Sequence, residues 1–312
     1  MKWGEKSRVG LFFCLGLSLS SFADDLIKPI PLQAVSNPQK AALGKDLFSD
    51  PQLSKDGTVS CLSCHNLAYG GADSEAVSRG VGGRSGSINA PTVFNARYNL
   101  AQFWDGRAKD LKAQAAGPIV NPVEMASTVE SVVQKLSKDP KYQKRFREMY
   151  PQGITIETIS DALAEFEKTL VTPNARFDSY LRGNITILTQ KEKEGFELFK
   201  SRGCIACHNG MNIGGNMYQR FGVFAQYKDR YNTLGRFNVT KQGEDKYYFK
   251  VPSLRNIEKT APYFHDGSAK TLEDAVQKMA YYQLGRKLSK EEIEKIIAFL
   301  RTLTGELPKN VL

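Results

Sequence analysis

The pattern Cys-x-x-Cys-His occurs twice, as Cys61-Leu62-Ser63-Cys64-His65 and Cys204-Ile205-Ala206-Cys207-His208. Few short patterns constrain a fold as strongly. Two thiols followed at once by an imidazole form the attachment sequence for covalent c-type haem. Each thiol adds to one vinyl group of the porphyrin. The histidine then lies under the iron and binds it through a ring nitrogen. The chain has three histidines in all, so these motifs take two of them and leave few other iron ligands. Two further readings stay open at this point: one four-thiolate zinc site built from both pairs, or two structural disulfides. The zinc reading leaves the two histidines unexplained, and zinc ribbons place their knuckles closer together. Cysteine pairs this close in sequence are more often redox or metal devices than staples.

With 312 residues the chain has room for two ordinary domains, and its balance of 41% hydrophobic to 24% charged residues is that of a globular protein. The first 23 residues read as a signal peptide. Lys2, Lys6 and Arg8 precede the apolar run Val9 to Leu19, and Ser21-Phe22-Ala23 supplies a cleavage site before Asp24. An uncleaved membrane anchor is the other reading of this segment. Cys14 is lost on cleavage, and Phe13 before it is too large for a lipidation site. Export predicts a periplasmic protein and agrees with haem attachment outside the cytoplasmic membrane. The formal charge is +10. Residues 1–23 hold three cations and one anion, so the mature chain keeps +8. The basic residues are dispersed rather than clustered, which argues against nucleic acid and for an acidic electron donor or an anionic surface.

The two halves repeat weakly. Gly44-Lys45-Asp46-Leu47-Phe48 precedes the first motif and Gly195-Phe196-Glu197-Leu198-Phe199 the second, and Asn66 and Asn209 follow them. Each reads as a short amphipathic helix leading into a haem site. Ser36-Asn37-Pro38 starts the first, and the capping box Thr189-Gln190-Lys191-Glu192 opens the second. Ile156, Ile159, Leu163, Phe166 and Leu170 predict another helix, ended by Thr172-Pro173. Ser289 with Glu292 opens a last one, striped by Ile293, Ile296, Ile297 and Leu300 and closed at Gly305. Strand-like runs are scarce, and 66–100 and 209–250 read as long loops around cofactors. The expected fold is mainly α: two cytochrome c-like helical domains, residues 24–172 and 173–312, each with one covalent haem.

The chain resembles the bacterial dihaem cytochrome c peroxidases over nearly all of its mature length. The resemblance rests on the two haem motifs and on Asn89-Ala90-Pro91-Thr92-Val93-Phe94-Asn95, Phe103-Trp104-Asp105-Gly106-Arg107, Asp110-Leu111-Lys112-Ala113-Gln114-Ala115, Val251-Pro252-Ser253-Leu254-Arg255-Asn256 and Pro262-Tyr263-Phe264-His265-Asp266-Gly267. It implies that the N-terminal haem reacts with hydrogen peroxide. It also implies that the C-terminal haem takes electrons from a small periplasmic donor, a monohaem cytochrome c or a cupredoxin, and that the protein is a homodimer.

The resemblance assigns His65 to the first iron, and His208 with Met279 to the second. A thioether ligand raises a haem potential, which suits an electron acceptor. Met279 as a packing residue is the plain alternative. A related enzyme that matures a tryptophan-derived quinone in methylamine dehydrogenase uses tyrosine there, so Tyr281 and Tyr282 keep that option open. Glu124 matches a distal glutamate, Gln114 a distal glutamine and Trp104 a tryptophan between the haems. Asn121-Pro122-Val123-Glu124 also reads as a helix start. Asn89, with the carbonyls of Thr260 and Pro262, matches one Ca2+ site. Val81 stands in the glycine-rich loop where many relatives carry a distal histidine, so the first iron is expected to be five-coordinate or to hold only water.

The resemblance therefore implies a cytochrome-c peroxidase that needs no reductive activation. The alternatives are a quinone-maturing type of oxidase and a dihaem electron carrier without catalysis. Intact-mass spectrometry of the exported protein should show two haem additions to a chain starting near Asp24. A single haem, or zinc in its place, would overturn this reading.

Overall fold

The computed structural model describes residues 26–33 and 36–307. The signal-peptide region and Cys14 lie outside the described residues. In chain order the elements are α1 (Pro38–Ser49), α2 (Cys61–Cys64), α3 (Leu111–Val120), α4 (Val129–Lys138), α5 (Pro140–Met149), α6 (Ile156–Glu167), α7 (Arg176–Leu181), α8 (Gln190–Ser201), β1 (Tyr218–Arg220), α9 (Phe237–Thr240), β2 (Tyr248–Lys250), α10 (Leu272–Leu284) and α11 (Lys290–Arg301). The two strands pair antiparallel, with Gln219 opposite Phe249. Among the described residues no helix is long and apolar enough to cross a membrane.

Local chemistry sets the helix ends. Asn37 caps α1 through its side chain, with Pro38 at the first position. Thr189–Glu192 and Ser289–Glu292 both form reciprocal capping boxes. Two expected ends move. The helix carrying Ile156 stops at Glu167, so buried Leu170 belongs to the following turn. The last helix is capped at Thr302, and Gly305 instead gives its N–H to Asn256 Oδ1 at 3.0 Å.

The halves share one packing device. In the first, α1 crosses α6 and buries Leu43, Leu47 and Phe48 against Ile159, Leu163 and Phe166. In the second, α8 crosses α11 and buries Phe196 and Phe199 against Phe299 and Ile296. Each crossing has a glycine at its closest point. A Cβ at Gly44 would stand 1.9 Å from the Ala162 carbonyl oxygen, and one at Gly195 would stand 1.9 Å from that of Lys295. Only glycine lets the two backbones approach so closely.

The repeat extends into the loops. Asn95 and Asn256 both adopt the left-handed region, each before a single 3-10 turn. Phe103 and Phe264 share a positive φ, as do Gly106 and Gly267. Gln102 bridges Ala108 as Tyr263 bridges Ala269. Each position in the second half stands 161 residues after its partner. One segment crosses over. Ile27 packs in the second core and bridges Gly210, and Ile30 gives its N–H to Asp178 Oδ1. The stretch 26–30, expected in the first domain, is thus built onto the second.

Gly195→Ala should lower stability by about 2 kcal/mol, because a backbone carbonyl cannot rotate aside and the helices must separate. That cost exceeds the roughly 1 kcal/mol alanine gains in helix propensity. Gly243, with no neighbour within 4 Å of its notional Cβ, serves as the control. Urea midpoints of the two holoprotein variants check this; equal midpoints would refute it.

Candidate active site

The two attachment motifs are built alike. Cys61–Cys64 is one helical turn, and Cys204–Ala206 is one 3-10 turn. His65 Nδ1 stands 3.2 Å from the Gly71 carbonyl, and His208 Nδ1 stands 3.4 Å from that of Ile213. A carbonyl only accepts, so each Nδ1 carries the proton and each Nε2 is left free to bind a metal. Burial lowers the proton affinity of both rings, pushing His208 down to about 4, which keeps them neutral as ligands must be. The Pro91 and Pro252 carbonyls approach His65 and His208 in the same way.

None of the four motif cysteines is bridged to another, which argues against the disulfide reading. Among the described residues no three His, Cys, Asp or Glu side chains converge on one point, so the two pairs do not share a four-thiolate site.

A cavity of about 440 Å³ opens beside the second motif. Cys204, Cys207, His208 and Met279 line it, with apolar walls from Phe249, Leu284 and Leu300. Its size and apolar lining suit a flat cofactor. Tyr281 and Tyr282 are not in its wall. Lys250 is. This lysine is 6% exposed, and its Nζ has no hydrogen bond or ion pair among the described residues. Burial alone pushes its pKa down to about 8. A buried cation without an anion is costly, and a haem carries carboxylates that would pair with it. The donor set and the orphaned cation both fit a haem. Sequence reasoning missed Lys250; the signal was a lysine between Phe249 and Val251.

Trp104 also lines this cavity and is 8% exposed. Its Nε1–H donates to the Asn89 carbonyl at 2.9 Å, which fixes the indole plane. Asn89, Thr260 and Pro262 line the same wall. The Asn89 amide nitrogen is used on the Glu75 carbonyl, which turns its Oδ1 away from that bond. The segment from Asn89 to Phe94 walls the second cavity on one side and reaches the His65 ring through Pro91 on the other. It is the partition between the two sites.

On the first side, Glu124 lies in a turn after α3. The helix start expected at Asn121 does not form: Asn121 caps the end of α3, and its Nδ2 donates to Glu124 Oε1 at 2.5 Å. Val81 N–H donates to the Glu124 carbonyl at 2.8 Å, and a Cβ at Gly80 would stand 2.3 Å from that oxygen. The loop bearing Val81 is therefore pinned on Glu124, with Val81 itself in the core. Burial raises the Glu124 pKa, against the Asn121 hydrogen bond and the charge of Arg107. Its charge is felt at both Cys61 and Cys64. Gln114 lies half-buried on α3.

Two more features of the first side escaped sequence reasoning. Glu167 is buried with no side-chain partner among the described residues and is pushed up to about 8, and its charge is felt at Cys61. Its place on the apolar stripe of Leu163 and Phe166 was the signal. Pro118, inside α3, occupies the position that Met279 holds in α10, at the same spacing of 161 residues. Proline offers no donor atom. The space beside the first motif is smaller, about 350 Å³, walled by Leu62, Asn66, Leu67, Phe48 and Phe166 rather than by His65.

Comparison with known proteins agrees with this geometry. Residues 38–186 match the family model of di-haem cytochrome c peroxidase, and residues 192–304 match cytochrome c. The chain is 52% identical over 287 residues to cytochrome c551 peroxidase of Nitrosomonas europaea, covering 92% of this chain and 86% of that protein. It is 48% identical to cytochrome c peroxidase Ccp of Escherichia coli, covering 98% of this chain and 66% of the relative. The methylamine utilization protein MauG of Methylorubrum extorquens is more distant, at 35% identity over 89% of this chain and 82% of that protein. Among solved structures, a MauG-like protein associated with microbial copper homeostasis superposes with a TM-score of 0.77 at 26% identity, over 90% of this chain and 93% of the other. From its repeated haem-attachment sites to its flanking loops, the chain belongs to the dihaem cytochrome c peroxidase family.

Proposed function

We propose that the protein reduces hydrogen peroxide to two waters, using two electrons and two protons, with the electrons drawn from a small periplasmic cytochrome c or cupredoxin. The observation that carries this reading is Glu124, a half-buried carboxyl of raised proton affinity whose charge is felt at both cysteines of the first attachment motif. The division of labour follows two domains, 24–172 for peroxide, apart from 26–30 which pack on the other, and 173–312 for electrons. Bound haems supply the iron that accepts peroxide at His65 and the electron store at His208 and Met279.

The side chains supply the rest. Glu124 takes the proton from one peroxide oxygen and returns it to the other, so that the leaving oxygen departs as water. Burial brings its pKa nearer to neutrality, which suits a group that is base first and acid second. Asn121 holds the carboxyl in place, and Gln114 orients the peroxide. The Val81 loop offers no side-chain donor atom at Val81, so an iron held by His65 would take no second ligand from that residue. Trp104, locked to Asn89, stands in the path of electrons between the sites. Asn89, with the carbonyls of Thr260 and Pro262, would hold a calcium ion, and such an ion would stiffen that partition.

With a reduced small cytochrome c as donor, the fully oxidised wild type should turn over without a lag. Glu124→Gln should keep both haems and lose on the order of a hundredfold in kcat. A lag abolished by prior reduction would refute the role given to Val81, and an unchanged kcat the role given to Glu124.

Lys250→Met should keep haem attachment but lower the potential of the second haem, because a cation that favours the reduced state is removed. At an effective dielectric constant of ~20 the loss is about 1–2 kcal/mol, or roughly 40–90 mV. Redox titration of the two haems reads this. A shift confined to the first haem, or none, would show that Lys250 does not face the second.

A further inference from the structure

Ring contacts continue outward from Trp104 to the surface. Trp104 meets His265 edge to face, with centroids 6.1 Å apart. His265 meets Phe221 at 5.3 Å and Tyr227 at 6.1 Å. Tyr227 meets Tyr282 at 5.1 Å, and Tyr282 meets Tyr281 at 5.0 Å. The series begins at a buried indole and ends at a phenol that is 58% exposed. Trp and Tyr are the side chains most readily oxidised by one electron. Here they stand at both ends of an unbroken run of packed rings.

Tyr227 has the feature that separates a relay from simple packing. Its hydroxyl donates to Oδ2 of the fully buried Asp266 at 2.8 Å and also meets Ser268 Oγ. A phenol becomes a strong acid once it loses an electron. A carboxylate already in hydrogen-bond contact lets the electron and the proton leave together. Asp266 is itself held fast, accepting from Ser268 N at Oδ1 and from Arg230 N at Oδ2. At the outer end, Phe224 is 67% exposed and gives its N–H to the Tyr282 carbonyl at 3.0 Å, and Val223 is 49% exposed. An apolar surface bordering the outer tyrosines suits a small aromatic molecule.

We propose that these rings carry oxidising equivalents from Trp104 to Tyr281, and that the face around Tyr281 is a second oxidation site, for small neutral phenols. The proposal rests on the peroxidase reading, since peroxide is the oxidant. Oxidised Trp104 takes one electron from Tyr227, whose O–H bond breaks as its proton passes to Asp266. Tyr282 then supplies an electron to Tyr227, which recovers its proton from Asp266, and the Tyr282 proton goes to water. Tyr281 reduces Tyr282 in turn, with proton loss and gain through solvent. A phenol at the surface gives Tyr281 one electron and one proton and leaves as a phenoxyl radical. Two passes account for one peroxide, so that one H2O2 and two phenols give two waters and two phenoxyl radicals. The route serves when peroxide arrives and the protein donor does not.

The test uses the dihaem holoenzyme with peroxide and either guaiacol or a reduced small cytochrome c. Tyr227→Phe, Tyr282→Phe and Tyr281→Phe each break the series at a different ring and keep its shape. Each should lower guaiacol oxidation by at least about tenfold and leave cytochrome oxidation within about twofold. Freeze-quench electron paramagnetic resonance of the wild type with peroxide alone should show a neutral tyrosyl radical that Tyr227→Phe removes. Unchanged guaiacol rates in all three variants would overturn the proposal while the peroxidase reading stands. So would an equal fall with both donors, which would mark the rings as an entry path for electrons. A wild type that oxidises neither donor would overturn both readings.

Discussion

Two backbone hydrogen bonds at the centre of the molecule hold the rest in place. Asn89 N–H donates to the His265 carbonyl at 2.8 Å, and Lys250 N–H donates to the Trp104 carbonyl at 2.7 Å. They are the same bond made twice, because Lys250 repeats the position of Asn89 and His265 repeats that of Trp104. Each half therefore grips the other by an identical device. A second set lies behind it. Thr172 Oγ1 accepts from Asn95 Nδ2 at 2.9 Å and from Asn256 Nδ2 at 3.1 Å, while Thr172 N–H donates to Asn95 Oδ1. All three residues are buried, and such polar networks specify one arrangement only when every member is satisfied. This network places the Pro91 and Pro252 loops, and those loops reach His65 and His208.

The repeat explains how one scaffold carries two chemistries. Equivalent positions hold residues of opposite talent. Pro118 has no donor atom where Met279 has a thioether. Trp104 is oxidisable where His265 is not, yet the two rings touch across the centre. Asn89 is neutral where Lys250 is a cation. The first side gathers carboxyls, Glu124 and Glu167, whose burial favours holding protons. The second gathers a positive charge and a thioether, and a thioether that bound iron would favour holding electrons.

Much of this was legible in the sequence because it depends on short-range chemistry. The haem motifs, the caps at Asn37, Thr189 and Ser289, and the helices before each motif follow from residues a few places apart. Even the repeat was visible in Gly44 and Gly195, although its reason, a carbonyl less than 2 Å from any Cβ, needed the partner helices. What stayed hidden depends on contacts between distant segments. The docking of Ile27 on the second core, the Val81 to Glu124 bond and the isolation of Lys250 have no local signature. The turn at Asn121 was masked by a good helix-start sequence, because tertiary placement overrode local preference. Tyr281 and Tyr282 show the same limit: nearness to Met279 in sequence did not put them in the cavity wall.

Wiring and insulation therefore fall to the same few residues. The segment from Asn89 to Phe94 must keep peroxide and its protons on the side of His65 while letting electrons arrive from the side of His208. Protons move only along hydrogen bonds, and this partition is walled by Pro91, which lacks an N–H, and by Phe94, which is apolar. Electrons need no such chain. On the function proposed above, a single indole, fixed by its Nε1–H on Asn89, would carry electrons across the wall without opening a proton path through it. Separating the two currents in this way requires the halves to be pressed close together yet chemically unlike, and a diverged internal repeat with reciprocal central hydrogen bonds meets both demands.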